Sequence, residues 1–267
     1  MNEPPRVVRD PRSLFDVTGR SVLITGATGA FGRVAGLSLA AAGARVTLAA
    51  RNASRLEAVG QELKELGGEA VLVNLRPDEL SDAEAMVAAA VHAHGRLDCV
   101  VTAAGLNKVG LIVDQDPADW DEVQRANVRG TWLVCKAAGR QLIDQGDGGK
   151  VVLVSSTRGR LGLPGGYGAY SPSKGAVDLL CKTLACEWGR HRINVNAVAP
   201  TVPCWSASST ACGGSEPGGT GAGPGRGPAP TRPTRRGPGS AAWLARSMPS
   251  LPEKPLLLAS AVGASPT

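Results

Sequence analysis

The sequence predicts one α/β domain built on a doubly wound parallel sheet. Three observations support this prediction: short apolar runs alternate with helical patterns, a glycine-rich turn follows the first run, and 43% of the 267 residues are apolar. Alternating strands and helices are typical of parallel sheets that are covered on both faces, and a chain of this length can bury one such core. Ligands of these sheets collect at the carboxyl ends of the strands.

Strand and helix signals follow one another from residue 21 onward. Apolar runs predict six strands, at 21–25, 44–50, 70–75, 97–105, 150–156 and 193–200. Helical periodicity predicts the connecting helices, at 33–43, 54–66, 82–94, 120–145 and 170–189.

The character of the chain changes after Thr201. Residues 203–267 contain 11 Gly and 11 Pro, so 22 of these 65 residues break helices and weaken strands. No period of 2 or 3.6 residues runs through them, which predicts disorder. We therefore expect a flexible arm at 1–16, a domain at 17–202 and a disordered tail at 203–267.

Composition and charge exclude several classes of partner. The formal charge is +6, but residues 203–267 hold six basic and two acidic residues, so residues 1–202 carry only +2. No basic stripe interleaved with aromatic residues occurs, which argues against nucleic acid. The six cysteines form no C-x-x-C pair, and no apolar run of about 18 residues or signal peptide is present. We expect a soluble cytoplasmic protein with no membrane partner and, with three histidines, no metal site.

A glycine-rich turn, T-G-A-T-G-A-F-G, occupies 25–32 between the first strand and the first helix. Glycines here let the backbone turn tightly and approach a pyrophosphate, which the amide groups at a helix N-terminus attract. An ordinary strand-to-helix turn is the alternative. The turn contributes the first candidate cofactor-binding residues, Thr25, Gly26, Thr28, Gly29, Phe31 and Gly32.

The end of the second strand carries Arg51 where an acidic residue would select NAD(H) by binding the adenosine ribose. No carboxylate there excludes a 2′-phosphate, and a guanidinium can pair with one. NADP(H) is therefore the preferred cofactor, and NAD(H) is the alternative. The purely structural interpretation of Arg51 is that its side chain points into solvent.

Tyr170 and Lys174 stand four residues apart in the run A-Y-S-P-S-K. On a helix they share one face, and a positive charge within about 4 to 6 Å of the phenol favours its ionised form. The pair could therefore exchange protons with an alcohol or a carbonyl.

Residues 1–202 resemble the short-chain dehydrogenase/reductase family, whose fold is of the Rossmann type. In the family pattern the central glycine of the turn is replaced by Ala30, and Thr102-Ala103-Ala104-Gly105 stands in place of Asn-Asn-Ala-Gly. By this resemblance the remaining cofactor contacts are Asn74, Leu75, Ala104, Gly105, Lys174 and Pro200. Asn74 replaces the family's aspartate, and Thr201 replaces a glycine.

The resemblance also implies a catalytic tetrad. Tyr170 would be the general acid/base and Lys174 would hold the nicotinamide ribose. Ser156 would hydrogen-bond the substrate oxygen. Because the spacing from Ser156 to Tyr170 is one residue longer than usual, Thr157 is the alternative for this role. Asn127 would anchor a water molecule that relays protons. Taken singly, Ser156 could simply end a strand and Asn127 could brace a helix.

The resemblance implies an NAD(P)(H)-dependent oxidoreductase that interconverts a secondary alcohol and a ketone. Residues 163–167 would lie beside the substrate, and the chain could form a homo-oligomer. The family's last strand is missing from the pattern after Thr201, so an altered reading frame or an alternative exon from about Val202 is one hypothesis. An inactive fragment that at most binds nucleotide is the alternative function, and a nucleotide-sugar enzyme, suggested by G-x-x-G-x-x-G, is a third.

Overall fold

The computed structural model describes residues 10–162 and 164–201. The tail at 203–267, Val202, Leu163 and residues 1–9 of the predicted arm lie outside the described residues. Within the arm, Pro11–Phe15 form a short 3-10 helix.

A six-stranded parallel sheet confirms the predicted fold class. Its strands are β1 (Ser21–Thr25), β2 (Arg45–Ala49), β3 (Ala70–Val73), β4 (Cys99–Thr102), β5 (Gly149–Val154) and β6 (Ile193–Val198). The spatial order is β3-β2-β1-β4-β5-β6, and each neighbouring pair is parallel. The strand order therefore reverses between β1 and β4, which opens a crevice at their carboxyl ends. The expected loss of the last strand concerns residues outside the described ones.

Six α-helices cover the sheet within the described residues. They are α1 (Ala30–Ala41), α2 (Ala53–Glu65), α3 (Leu80–His94), α4 (Pro117–Gln124), α5 (Gly130–Gln145) and α6 (Tyr170–Trp188). Short 3-10 helices lie at Thr157–Gly159 and Gly189–His191. None of the helices in the described part of the chain is long and apolar enough to span a membrane.

The predicted helix at 120–145 differs from the observed one in two respects. It begins earlier, at Pro117, because Asp116 accepts a hydrogen bond from the backbone amide of Ala118 at 2.8 Å and proline suits the first turn. A π-helical turn, Arg125–Arg129, then separates α4 from α5. Such turns often mark functional sites.

The core consists of one apolar layer on each face of the sheet. Leu23 of β1 points into the layer under α3, α5 and α6, whereas its neighbours Val22 and Ile24 point into the layer under α1 and α2. All five residues of β1 are buried, as expected of a central parallel strand. Burial on both faces fixes the register of β1 and therefore the place where the glycine turn begins.

Candidate active-site cleft

Two adjoining cavities lie at the carboxyl end of the sheet. The first, of about 320 Å³, extends from the glycine turn to Arg51, and the second, of about 570 Å³, contains Tyr170 and Lys174. Ala103, Gly105 and Leu106, which follow β4, line both cavities. Together they form one elongated cleft at the crevice where the strand order reverses.

The glycine turn forms the entrance to α1. Gly26 has φ +68°, and a side chain there would overlap the backbone of Ala103 and Ala104. Gly29 caps α1 without any side-chain hydrogen bond, and a methyl group there would approach only the Gly26 carbonyl oxygen, at 3.3 Å. The α1 N-terminus can therefore meet an anion at close range, which suits a pyrophosphate.

The first cavity has a positively charged end. Arg51, Arg55 and Arg76 line it, and none of its described lining residues is acidic. Arg76 pairs with Asp78 at 3.0 Å, whereas Arg51 and Arg55 form no ion pair within the described part of the chain. Arg55, in the first turn of α2, was missed in the sequence.

Tyr170 and Lys174 lie side by side in the second cavity. The Lys174 Nζ atom is 5.7 Å from the centre of the Tyr170 ring and donates a 2.7 Å hydrogen bond to the Val154 carbonyl oxygen. Lys174 is 4% exposed, and burial lowers its pKa to about 8, although the negative charge of Asp178 acts in the opposite direction. An amine with a pKa of about 8 gains or loses its proton within about a pH unit of neutrality.

Ser156 lies in the wall of the same cavity. It is 7% exposed, and its Oγ atom accepts a hydrogen bond from the backbone amide of Arg158 at 3.2 Å. Within the described residues its hydroxyl hydrogen has no acceptor, so it is available to a ligand. Thr157 also lines the cavity, and Ser155 donates to the Lys174 carbonyl oxygen at 3.2 Å.

Asn127 lies behind the cleft wall in the π-helical turn and is fully buried. Its side-chain oxygen accepts a hydrogen bond from the Leu106 backbone amide, and Nδ2 donates to the Leu106 carbonyl oxygen. Nδ2 also donates to Ser173 Oγ at 2.9 Å. Ser173 Oγ in turn donates to the Tyr170 carbonyl oxygen at 2.6 Å. This chain of bonds ties the segment after β4 to the first turn of α6.

The cleft brings together most of the predicted site residues. Its walls include Thr25, Gly26, Thr28, Gly29, Phe31, Arg51, Leu75, Ala104, Gly105, Ser156, Tyr170, Lys174 and Pro200. Three predicted residues do not line it, namely Gly32, Asn74 and Asn127. The Asn74 amide instead donates to the Ala50 carbonyl oxygen at 2.9 Å.

A comparison of the whole chain with known families gives one match that covers most of its length. The family described as short chain dehydrogenase matches residues 20–204. The chain belongs to this family. The predicted membership and the prediction of an oxidoreductase are thereby confirmed, and the inactive-fragment alternative is not favoured.

Two further proteins are similar to this chain over about 70% of its length. An uncharacterized oxidoreductase from Mycobacterium tuberculosis is 56% identical over 190 residues, which make up 70% of this chain and 69% of that protein. Galactitol 2-dehydrogenase (L-tagatose-forming) from Cereibacter sphaeroides is 35% identical over 193 residues, 72% of this chain and 74% of that protein.

A solved short-chain dehydrogenase structure gives the same result at the level of the fold. NAD⁺-bound xylitol dehydrogenase superimposes with a TM-score of 0.67 at 31% identity, covering 69% of this chain and 71% of that one. Members of the family bind NAD(P), and the elongated cleft with its anion-attracting entrance and its buried amine fits such a dinucleotide.

Proposed function

We propose that this short-chain dehydrogenase interconverts a secondary alcohol and a ketone, with Tyr170 as the acid/base. One observation supports this most directly: Tyr170, Lys174 and Ser156 line a single cavity that continues into the cleft suited to a dinucleotide. The three residues come from two different segments, after β5 and on α6. Their convergence has a ready chemical purpose, because a substrate oxygen in this cavity could contact the phenol and the hydroxyl while the ammonium lies beside the phenol ring.

Each residue would have a distinct role in alcohol oxidation. A nicotinamide cofactor held in the cleft would supply the acceptor for the hydride of the carbinol carbon. The Tyr170 oxygen takes the hydroxyl proton, and the Lys174 charge stabilises the negative charge on that oxygen. Ser156 donates a hydrogen bond to the substrate oxygen. In ketone reduction the same proton moves from Tyr170 to the product.

Replacement of the phenol tests this proposal. Tyr170→Phe should lower kcat by about 100-fold or more, the usual contribution of a positioned acid/base. Dinucleotide binding should persist, because the substitution removes one oxygen from the far end of the cleft. Xylitol and galactitol, the polyols for which two related proteins are named, belong in the substrate panel. Unchanged turnover in Tyr170→Phe would rule out the assigned role.

The preferred cofactor in this proposal is NADP(H). Arg51 and Arg55 are free of ion pairs within the described residues, and no acidic side chain lines their cavity there. A 2′-phosphate would supply the missing negative charge and accept paired hydrogen bonds from a guanidinium. NAD(H) remains the alternative, since a similar structure holds NAD⁺.

A cytoplasmic location and self-association complete the proposal. Four cysteines in the described residues are free, and burial raises the pKa of Cys99 and Cys135 to about 12, as suits thiols that stay reduced. Self-association is proposed from the resemblance to the family. Light scattering of the purified chain would measure the mass of the particle.

A further inference from the structure

We propose that the substrate of this enzyme carries an anionic group, a carboxylate or a phosphate, that binds to Arg158. The inference rests on the proposed function, because it concerns the same cavity. It identifies the class of substrate as a hydroxy acid or a phosphorylated polyol, together with the corresponding keto compounds.

Arg158 belongs to the cavity wall and has no counter-ion among the described residues. Its guanidinium stacks on the ring of Tyr167 at 3.9 Å from the ring centre. Among residues 10–162 and 164–201, the buried Nε atom of Arg158 has no hydrogen-bond partner, and its guanidinium forms no ion pair. A partly buried cation without a partner is costly, and that cost falls when an anion binds.

The neighbouring arginine shows what a structural role would look like. Arg160 lies outside the cavity lining and pairs through Nε with Asp178 at 3.0 Å. Its partner is an acidic residue of α6, so its charge is already balanced. Arg158, two residues earlier, faces the cavity instead, which makes Arg160 a matched control.

The charge of the cavity favours an anion. Lys174 and Arg158 are the charged side chains among its described lining residues, and no carboxylate occurs among them. The Lys174 ammonium already donates to the Val154 carbonyl oxygen, whereas the Arg158 guanidinium, stacked on Tyr167, has no acceptor for its Nε–H among the described residues. A guanidinium edge fits two oxygens of a carboxylate or phosphate.

The position of Arg158 relates the anion to the reacting oxygen. The backbone amide of Arg158 donates a hydrogen bond to Ser156 Oγ, which is the group proposed to contact the reacting oxygen. Since Arg158 lines the same cavity as Ser156 and Tyr170, a ligand that places its hydroxyl or carbonyl at those two residues would have its anionic end at Arg158. A neutral polyol would occupy the first position and leave Arg158 without a partner.

Binding to the full-length protein saturated with NADPH tests this inference without turnover, because the reduced cofactor cannot oxidise an alcohol. The probes are D-gluconate, D-glucitol 6-phosphate and the uncharged D-glucitol, and the measurement is their dissociation constants by calorimetry. At least one of the two anions should bind about tenfold or more tightly than D-glucitol, the typical effect of a hydrogen-bonded charge. The two charged probes distinguish a carboxylate from a phosphate.

Arg158→Gln should abolish the preference for the anion, Arg158→Lys should keep part of it, and Arg160→Gln should leave it unchanged. If Arg158→Gln does not fold, Arg158→Lys and the weakening of the preference by added salt decide the matter. Equal binding of all three probes, or a preference that survives in Arg158→Gln, overturns the inference. A separate turnover assay with the oxidised cofactor distinguishes this inference from the proposed reaction: an anion preference in binding, combined with no oxidation of any substrate, would contradict the reaction and leave the Arg158 site intact.

Discussion

Asn127 holds the backbone of Leu106 through both ends of its side-chain amide. Oδ1 accepts a hydrogen bond from the Leu106 amide at 2.7 Å, and Nδ2 donates to the Leu106 carbonyl oxygen at 2.9 Å. Leu106 lines both cavities of the cleft, so this buried amide fixes the wall that they share. Asn127 is therefore a positioning residue, and the water relay suggested for it stays a prediction.

Removing this amide should affect both stability and binding. Asn127→Ala leaves the buried polar groups of Leu106 and Ser173 without their partners, which should lower the free energy of unfolding by about 1–3 kcal/mol. The looser wall should also raise the Kd of the dinucleotide. Urea unfolding and cofactor titration measure the two effects. Wild-type values for both in Asn127→Ala would show that the bonds are dispensable.

The titration of Lys174 predicts how stability depends on pH. Its pKa is about 8 in the folded protein, lowered by burial from an ordinary value of 10.5, so the unfolded chain holds this proton to higher pH. Between these values the unfolded state binds more protons, and the contribution of Lys174 to stability increases with pH. Below pH 8 the folded protein carries the buried charge at a cost.

Lys174→Met removes this titrating group and keeps the other ionisable side chains. The stability of the wild type relative to Lys174→Met should increase by about 2 kcal/mol from pH 7 to pH 9.5. Urea unfolding at each pH measures the difference. A difference that is independent of pH would mean that Lys174 titrates alike in the folded and unfolded states.

Arg51 should control the choice of cofactor. Arg51→Ala should raise the Kd of NADPH by about tenfold and leave that of NADH nearly unchanged, because only NADPH carries the 2′-phosphate. Fluorescence titration with both nucleotides measures the ratio. Arg190→Ala, a substitution of an exposed arginine that does not line the cleft, is the control. An equal loss for both nucleotides would contradict a phosphate contact.

Two of the three glycines of the turn, Gly26 and Gly29, should respond differently to alanine. Gly26→Ala forces a side chain onto a residue with φ +68° and into the backbone of Ala103 and Ala104, so we expect a loss of about 3 kcal/mol or more. Gly29→Ala meets only a carbonyl oxygen at 3.3 Å and should fold. Its methyl group would nevertheless stand at the entrance to α1 and should weaken nucleotide binding. Thermal unfolding with and without NADPH separates the two effects.

The fold and the pairing of Tyr170 with Lys174 could be predicted from the sequence because their signals are local. Burial of β1 on both faces leaves an unbroken apolar run, and the turn that follows requires glycine at Gly26. Tyr170 and Lys174 share a face because an α-helix places residues four apart on one side. These features depend on neighbours along the chain.

Contacts between distant segments were decided only by the tertiary structure. Asn127 reaches Leu106 across 21 residues, and Arg158 stacks on Tyr167 in a loop between β5 and α6. Asn74 donates a hydrogen bond to the Ala50 carbonyl oxygen just after β2, and Leu75 lines the cleft in its place. A side chain takes its rotamer from whatever packs against it, and the linear sequence does not contain those neighbours. The sequence by itself therefore determined the sheet, the turn and the residue types of the site, whereas three-dimensional packing decided which polar side chains support the cleft and which cation is left for a ligand.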